Sequence, residues 1–261
     1  MTIAPRIYSN NNLFIQTEYR QAFKNSDFIS DISYNKKENS NSHIFASFLR
    51  EIEDSFTEIR LESVSNNDYL KKYQIKSPLI NNYTTLNSSF SFEKYNDSYA
   101  FASSFSVIED LTKPNNDKYE YIFPNYDFAK DIYFEDTFFD SLNLKSSGNY
   151  RKYNTNVDEA DVVNDLTFNL NKQNQLSNLD TEFKFLIRNI NTYGDLSSTY
   201  NDQDDYKVLG SVLLNFQYPL FKQKSNNKNF LTPLASFRYS PFKGRNLNNE
   251  KTLLTYDDLF E

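Results

Sequence analysis

Between Leu13 and Lys24 the chain alternates with a period of two: Leu13, Ile15, Thr17, Tyr19 and Phe23 fall on one side, Gln16, Glu18, Arg20 and Lys24 on the other. Successive side chains of a β-strand point to opposite faces, so this pattern specifies a strand with one apolar and one polar face. A sheet built from such strands has two stable settings. In water the apolar face packs on a core and the charged face is solvated; in a bilayer the apolar face meets lipid and the charged face lines a wet interior.

The same period recurs along the chain, broken by clusters of Asn, Asp, Ser and Lys that read as hairpin turns. Phe28, Ile32 and Tyr34 oppose Asp31, Ser33 and Asn35; "NKKENSNS" (35–42) reads as a loop; then Thr57, Ile59, Leu61 and Ser63 oppose Glu58, Arg60 and Glu62. Residues 90–107 predict a hairpin turning at Asn96-Asp97, with Tyr99, Phe101, Phe105 and Val107 outward and Ala100, Ala102, Ser104 and Ser106 inward. Leu179, Thr181, Phe183, Phe185 and Ile187 alternate with Asp180, Glu182, Lys184 and Arg188. Val208, Val212, Leu214, Phe216 and Tyr218 follow, then Leu231, Ala235, Phe237 and Tyr239. The stretch 157–166 reads as loop or strand entry, and 222–229 and 242–251 read as exposed loops. The runs predict roughly 10–14 strands, many near the ~9–11 residues that cross a bilayer at a tilt, against about 5–6 in a soluble sandwich.

Composition removes several function classes. With 28 basic and 35 acidic residues the net charge is −7, which argues against a broad nucleic-acid-binding patch. Cysteine is absent, so disulfides, thiol catalysis and thiolate metal sites are excluded. No apolar run reaches the ~20 residues of a spanning helix, and no cationic segment followed by an apolar one opens the chain. A mean hydropathy of −0.71 is compatible with a membrane barrel, whose inner faces and loops dilute the lipid-facing half of each strand. An aromatic content of 17% argues against disorder.

Chemistry-bearing patterns are sparse. His43 is the single histidine and reads as a loop or strand residue, because a triad needs a nucleophile at its side and a metal site needs several ligands. The acidic stretches "NDQDDY" (201–206) and "YDDLFE" (256–261) read as solvated turns. There is no glycine-rich phosphate loop, and the reading is of a non-enzyme without catalytic, cofactor or metal residues.

Specific residues add a resemblance. "TIAPRIYSNNNLFIQTEYRQ" resembles the opening of the barrel in the outer-membrane lipopolysaccharide-assembly family (LptD, the organic-solvent-tolerance proteins), through Thr2, Pro5, Arg6, Ser9 and then Glu18, Tyr19 and Arg20. Residues 208–246 are similar to the family's paired strands through Tyr218-Pro219, Leu231, Pro233, Ala235, Ser240 and Pro241. "YIFPNYDF" (121–128) and the terminal "YDDLFE" also look like family motifs, so the likeness runs in order through nearly the whole chain.

The resemblance implies an all-β, antiparallel transmembrane barrel, of which residues 1–261 form a partial, open portion. It implies location in the outer membrane and a part in inserting lipopolysaccharide into the outer leaflet. The implied partners are lipopolysaccharide, outer-membrane lipids, a plug lipoprotein of the LptE type and periplasmic lipopolysaccharide-bridge proteins, with no nucleic acid and no cofactor. The family's periplasmic jelly-roll domain, its later barrel strands and its "N-R-x-x-G-x-D-R" stretch are not in the sequence, so a fragment unable to close a barrel alone is expected. Pro5 matches a family proline that weakens the seam of a lateral gate, since proline cannot donate to the ladder. Gln16, Glu18, Arg20 and Lys24 are the lumen-facing candidates. The competing readings are a porin-like diffusion channel and a soluble β-sandwich that stacks exposed Tyr on sugar rings.

Overall fold

The computed structural model describes residues 2–8, 12–35, 41–135, 138–174, 179–224 and 227–241. Residues 9–11 of the opening hairpin turn that the sequence places at Ser9–Asn12, the loop 242–251 and the motif "YDDLFE" lie outside the described residues.

Period-two segments become strands throughout: β1 (Thr2–Tyr8), β2 (Asn12–Ala22), β3 (Ser26–Asn35), β4 (Asn41–Ile52), β5 (Ser55–Val64), β6 (Thr85–Tyr95), β7 (Tyr99–Asp110) and β8 (Tyr119–Tyr133). They continue as β9 (Ser141–Tyr153), β10 (Val157–Asn174), β11 (Leu179–Asp195), β12 (Asp205–Gln217), β13 (Leu220–Lys224), β14 (Asn227–Leu231) and β15 (Leu234–Tyr239). One helix, α1 (Tyr69–Tyr73), interrupts them. Thirteen strands form one antiparallel sheet in which β1 to β12 pair in chain order and β15 pairs with β12. The sheet is open, with β1 and β15 at its edges, and β13 and β14 form a separate hairpin.

Asparagine does much of the turning, because it accepts hydrogen bonds from the backbone just ahead of it and tolerates the left-handed conformation. Asn96 Oδ1 accepts from the backbone N–H of Ser98 and Tyr99, closing the predicted 96–98 turn, and Asn154 sits at φ 46° between β9 and β10. Connections at 23–25, 53–54 and 96–98, here called the lower end, have two or three residues, whereas the upper connection from Val64 to Thr85 is twenty residues long. Pro124 falls at the register shift between Ile122 and Asn125 on β8, where the ladder is already interrupted.

The strand pairing makes the two faces explicit. One carries Ile15, Ile32, Ile44, Leu61, Ile59, Phe90, Phe105, Phe168, Phe185 and Leu214; the other carries Gln16, Asp31, His43, Glu58, Arg60, Glu62, Lys145, Asp165, Lys184 and Arg188. The charged face is called inner because the long upper connection folds back across it at β2–β5, and nine of the eleven apolar side chains buried among the described residues gather there. Phe14 and Phe45 on the wall pack with Tyr69, Leu70, Tyr73, Ile75 and Leu79 of the connection, joined by Leu86 and Leu111. Among the described residues only eleven hydrophobic side chains are buried, so no two-layer core of a sandwich underlies this sheet.

Three sequence expectations change. Residues 157–166 belong wholly to β10, because their partners on β9 and β11 complete the ladder on both sides. Residues 222–224 and 227–229, read as loop, are paired strand residues of β13 and β14, and α1 was not anticipated. Phe23 and Lys24 lie beyond the end of β2, in the exposed turn to β3, so Lys24 is not on the inner wall.

Candidate functional site

The inner face of β2–β4, under the segment folded onto it, carries six of the seven polar side chains buried among the described residues. Gln16 on β2, Ser33 on β3 and His43 on β4 are direct cross-strand partners, so the register alone sets them side by side. Asp31 sits one inward position along β3. His43 Nε2 faces Asp31 Oδ1 at 3.2 Å, and its Nδ1 faces Ser33 Oγ at 2.7 Å. Gln16 Nε2 donates to both Asp31 oxygens at 3.0 and 2.9 Å and to the Lys76 carbonyl at 3.1 Å, while Ser77 also hydrogen-bonds the carboxylate. A buried carboxylate is costly unless its lone pairs are filled, and here three groups, the Gln16 amide, His43 and Ser77, surround it with four hydrogen bonds.

Segment 66–84 closes this site from above. The Tyr69 hydroxyl hydrogen-bonds Ser33 Oγ and lies 3.1 Å from His43 Nδ1. Asn41 Nδ2 donates to the Tyr73 hydroxyl at 2.9 Å, and an Arg60 guanidinium nitrogen donates to the Leu79 carbonyl at 3.3 Å. The Tyr73 ring stacks on Phe14 at 5.7 Å, and the His43 ring stacks on Phe45 at 4.3 Å. The segment is held by hydrogen bonds at its polar points and by ring packing between them. The aspartate, histidine and serine are linked as in a nucleophilic relay, yet Ser33 Oγ is shut from solvent under Tyr69, and Ser33 and His43 are 2% and 1% exposed. As it stands the relay fastens the segment to the wall; it has no opening for a substrate.

Further round, the inner face is an ion-paired wall. Arg188 holds Asp165 with two bonds of 2.8 and 3.0 Å across β10–β11. Lys184 pairs with Glu182 at 2.8 Å, Arg151 with Glu120 at 2.7 Å, and Lys152 with Asp158 at 2.9 Å on the outward side of β9–β10. A cavity of about 320 Å³ lies against the wall, bordered by Glu93, Ala102, Asp127, Lys145 and Asp165. The small residues Ala100 and Ala102, read from the sequence as inward, open that space. Among the described residues no cluster of His, Cys, Asp and Glu is placed to hold a metal. Lys118 lies outside the strands at the upper end, and the Glu109 carboxylate 2.5 Å away at the close of β7 holds its ammonium above the usual lysine range.

Of the sequence candidates, Gln16 is buried in the relay, and Glu18 and Arg20 pair with each other at 2.7 Å farther down the same inner face. Pro5 lies on the edge strand β1 in register with Ile15. Asp31, Ser33 and His43 form the relay that sequence reading did not assemble. The alternation of Asp31 and Ser33 put them on the polar face, but nothing local paired them with a histidine ten residues on or with Tyr69.

The outer face shows a different chemistry. From β1 to β7 it presents Ile3, Ile15, Tyr19, Ile32, Tyr34, Ile44, Ile59, Leu61, Phe90 and Phe105 to the surroundings, Ile32 at 47% and Phe105 at 45% exposure. No helix among the described residues is long and apolar enough to cross a membrane. No known protein-family model and no curated protein matches the chain.

Proposed function

We propose that this chain is a wall of a membrane β-barrel whose apolar face contacts lipid and whose charged face lines a wet interior, and that the barrel serves lipopolysaccharide export to the outer leaflet. The observation that carries the membrane reading is an apolar face, exposed from β1 to β7 and interrupted by Lys94 and Lys130, set against a charged, ion-paired opposite face of the same sheet. Ten half-exposed Ile, Leu, Phe and Tyr side chains present on the order of 800 Å² of apolar surface, above the ~300–600 Å² of the largest patch on an ordinary monomer. At ~25 cal/mol per Å², keeping this surface in water rather than in hydrocarbon costs about 20 kcal/mol. A hydrocarbon surround removes that cost. A soluble glycan-binding sandwich requires the opposite arrangement, with the apolar face inside.

The transport reading rests on the motif resemblance and fits the chemistry of the inner wall. Charges of alternating sign, as in Glu58/Arg60/Glu62 and Glu182/Lys184, keep a passage hydrated and offer partners to sugar hydroxyls and phosphates. Pro5, on an edge strand, brings no N–H to the seam it borders, which suits a gate that opens sideways. The working partners on this reading are lipopolysaccharide, bilayer lipid, a plug lipoprotein in the interior and periplasmic bridge proteins.

The test is photo-crosslinking in cells, with a benzophenone amino acid at Arg20 or Lys184 on the inner face and at Phe185 on the outer face. Lipopolysaccharide captured from the inner positions supports transport. Absence of capture together with leakage of small solutes from vesicles carrying the chain replaces it with a diffusion channel, and recovery of the chain in the soluble fraction overturns both.

A further inference from the structure

The apolar stripe on the outer face does not follow the rungs of the sheet. One continuous rung runs from Ser26 on β3 through Phe92 on β6, Tyr126 on β8 and Val162 on β10 to Asn191 on β11 and Tyr206 on β12. On β3 the stripe spans Phe28 to Tyr34, its midpoint five residues above this rung. On β6 and β7 it straddles the rung, with Phe90 and Phe92 on one strand and Phe101 and Phe105 on the next. On β11 it spans Phe183 to Ile187, its midpoint six residues below. The drift is one-directional and totals eleven residues over eight strand-to-strand steps.

A hydrocarbon slab is flat, so the drift measures the angle between the strands and the membrane normal. Eleven residues rise about 37 Å at ~3.4 Å each, and eight strand spacings of ~4.8 Å cover about 38 Å, which gives a tilt of about 45°. Transmembrane barrels tilt their strands by ~35–45°. A rung-parallel stripe would have given no tilt, and the sequence alone carries no such angle.

The upper rim of the stripe on β9–β11 is chemically marked. Directly above Leu144, Leu166 and Ile187 the outer face turns to Ser146, Asn164 and Asn189, and these residues satisfy one another. The Tyr126 hydroxyl is 3.2 Å from Ser146 Oγ, Ser146 Oγ donates to Asn164 Oδ1 at 2.7 Å, and Asn164 Nδ2 donates to Asn189 Oδ1 at 3.3 Å. At the edge of hydrocarbon, polar side chains are tolerated where their hydrogen bonds are met within the protein. Above the row stand Tyr150, Tyr193 and Tyr206, aromatics with a polar tip suited to the headgroup level.

We infer that the outer face contacts the acyl chains of a bilayer along a diagonal band crossed by strands tilted about 45°, that the hydrocarbon ends on β9–β11 at the Ser146–Asn164–Asn189 row, and that the upper ends of these strands stand clear of the membrane. This rests on the membrane reading above and goes beyond it by fixing depth residue by residue. β10 and β11, of 18 and 17 residues, exceed the ~9–11 that a crossing requires, and the surplus lies above the row. The Lys152–Asp158 pair and the Arg151–Glu120 pair fall in that projecting part, where charge is solvated.

The chain has no cysteine, so single-cysteine variants report one position each. Spin labels at Ile32, Phe92, Val162 and Phe185 of the full chain, in phosphatidylcholine vesicles recovered by flotation, are read by collision with oxygen against a water-soluble nickel chelate. Phe92 and Val162 share a rung, and the inference places the first in hydrocarbon and the second above its edge, at the headgroup level that the nickel chelate reaches. The expected result is oxygen-dominated collision at Ile32, Phe92 and Phe185 and at least a tenfold swing toward nickel at Val162. Equal oxygen-dominated collision at Phe92 and Val162, with Ile32 and Phe185 still in lipid, overturns the diagonal band and leaves the membrane reading standing. Nickel access at all four positions, or failure to float, overturns the membrane reading itself.

Discussion

Replacing Tyr69 separates the in-folded segment from the sheet it rests on. Tyr69 is fully buried, with its ring 5.4 Å from Tyr73, 5.6 Å from His43 and 6.4 Å from Phe14, and its hydroxyl on Ser33 and His43. Tyr69→Phe removes only the hydroxyl, and Ser33 and His43 retain each other at 2.7 Å, so neither is orphaned. The expected cost is about 0.5–1.5 kcal/mol, the usual net worth of one hydrogen bond. Tyr69→Ala also deletes the ring that Phe14, Tyr73 and Leu70 pack around, for about 3–5 kcal/mol. Because α1 is only five residues long and has no stability of its own, that loss falls on docking of 66–84 rather than on the ladders of β9–β12. Amide hydrogen exchange checks it. With about 1.4 kcal/mol per factor of ten, exchange at the Gln74 and Ile75 amides rises up to about tenfold for Phe and by a hundredfold or more for Ala. Amides of β10 and β11 stay protected in both variants. Equal acceleration in β10 and β11, or no change at 74–75 in Tyr69→Ala, would refute the claim that Tyr69 anchors a locally docked segment.

Three further outcomes follow from named contacts. Asp31→Ala leaves His43 Nε2 and Ser77 without this acceptor and the Gln16 amide with only the Lys76 carbonyl, and is expected to cost about 3–5 kcal/mol in denaturant unfolding, whereas Glu18→Ala, which breaks a pair with an exposed arginine, costs under about 1 kcal/mol. Gly148→Val places a side chain where the Tyr126 ring lies against the Gly148 backbone, so Tyr126 must leave Ser146; a lowered melting temperature restored by the second change Tyr126→Ala is the expected result. Phe185→Arg puts a charge at the middle of the outer band and is expected to cost about 2–4 kcal/mol of stability in vesicles, with Lys184→Ala on the opposite face costing under about 1 kcal/mol; equal effects would contradict the lipid-facing assignment.

Local alternation made most strands legible. The 90–107 hairpin turns at Asn96 as read, and Ala100 and Ala102 face inward opposite Phe101 and Phe105, because both features depend only on period two and on the turn chemistry of asparagine. The loop or strand entry read at 157–166 turned out to be continuous strand, because ladder partners on both sides outweigh the modest strand propensity of Asp, Glu and Ala. Lys24 fell off the inner wall because alternation does not say where a strand stops. The segment 66–84 was invisible to pattern reading: α1 is shorter than two turns, and its anchors, Gln16 to Lys76 and Ser33 to Tyr69, span 60 and 36 residues.

By itself the sequence determined a many-stranded antiparallel sheet, which residues share a face, and that one face is apolar and the other charged, since these follow from the fixed two-residue period of a strand. Tertiary structure alone decided that Asp31, Ser33 and His43 form one buried relay under Tyr69, that this relay is closed by the chain's own upper connection, and that the apolar stripe crosses the rungs diagonally. Those properties depend on register between strands and on contacts far apart in the chain, and cross-strand register accumulates from one pair to the next in a way that no single stretch of residues encodes.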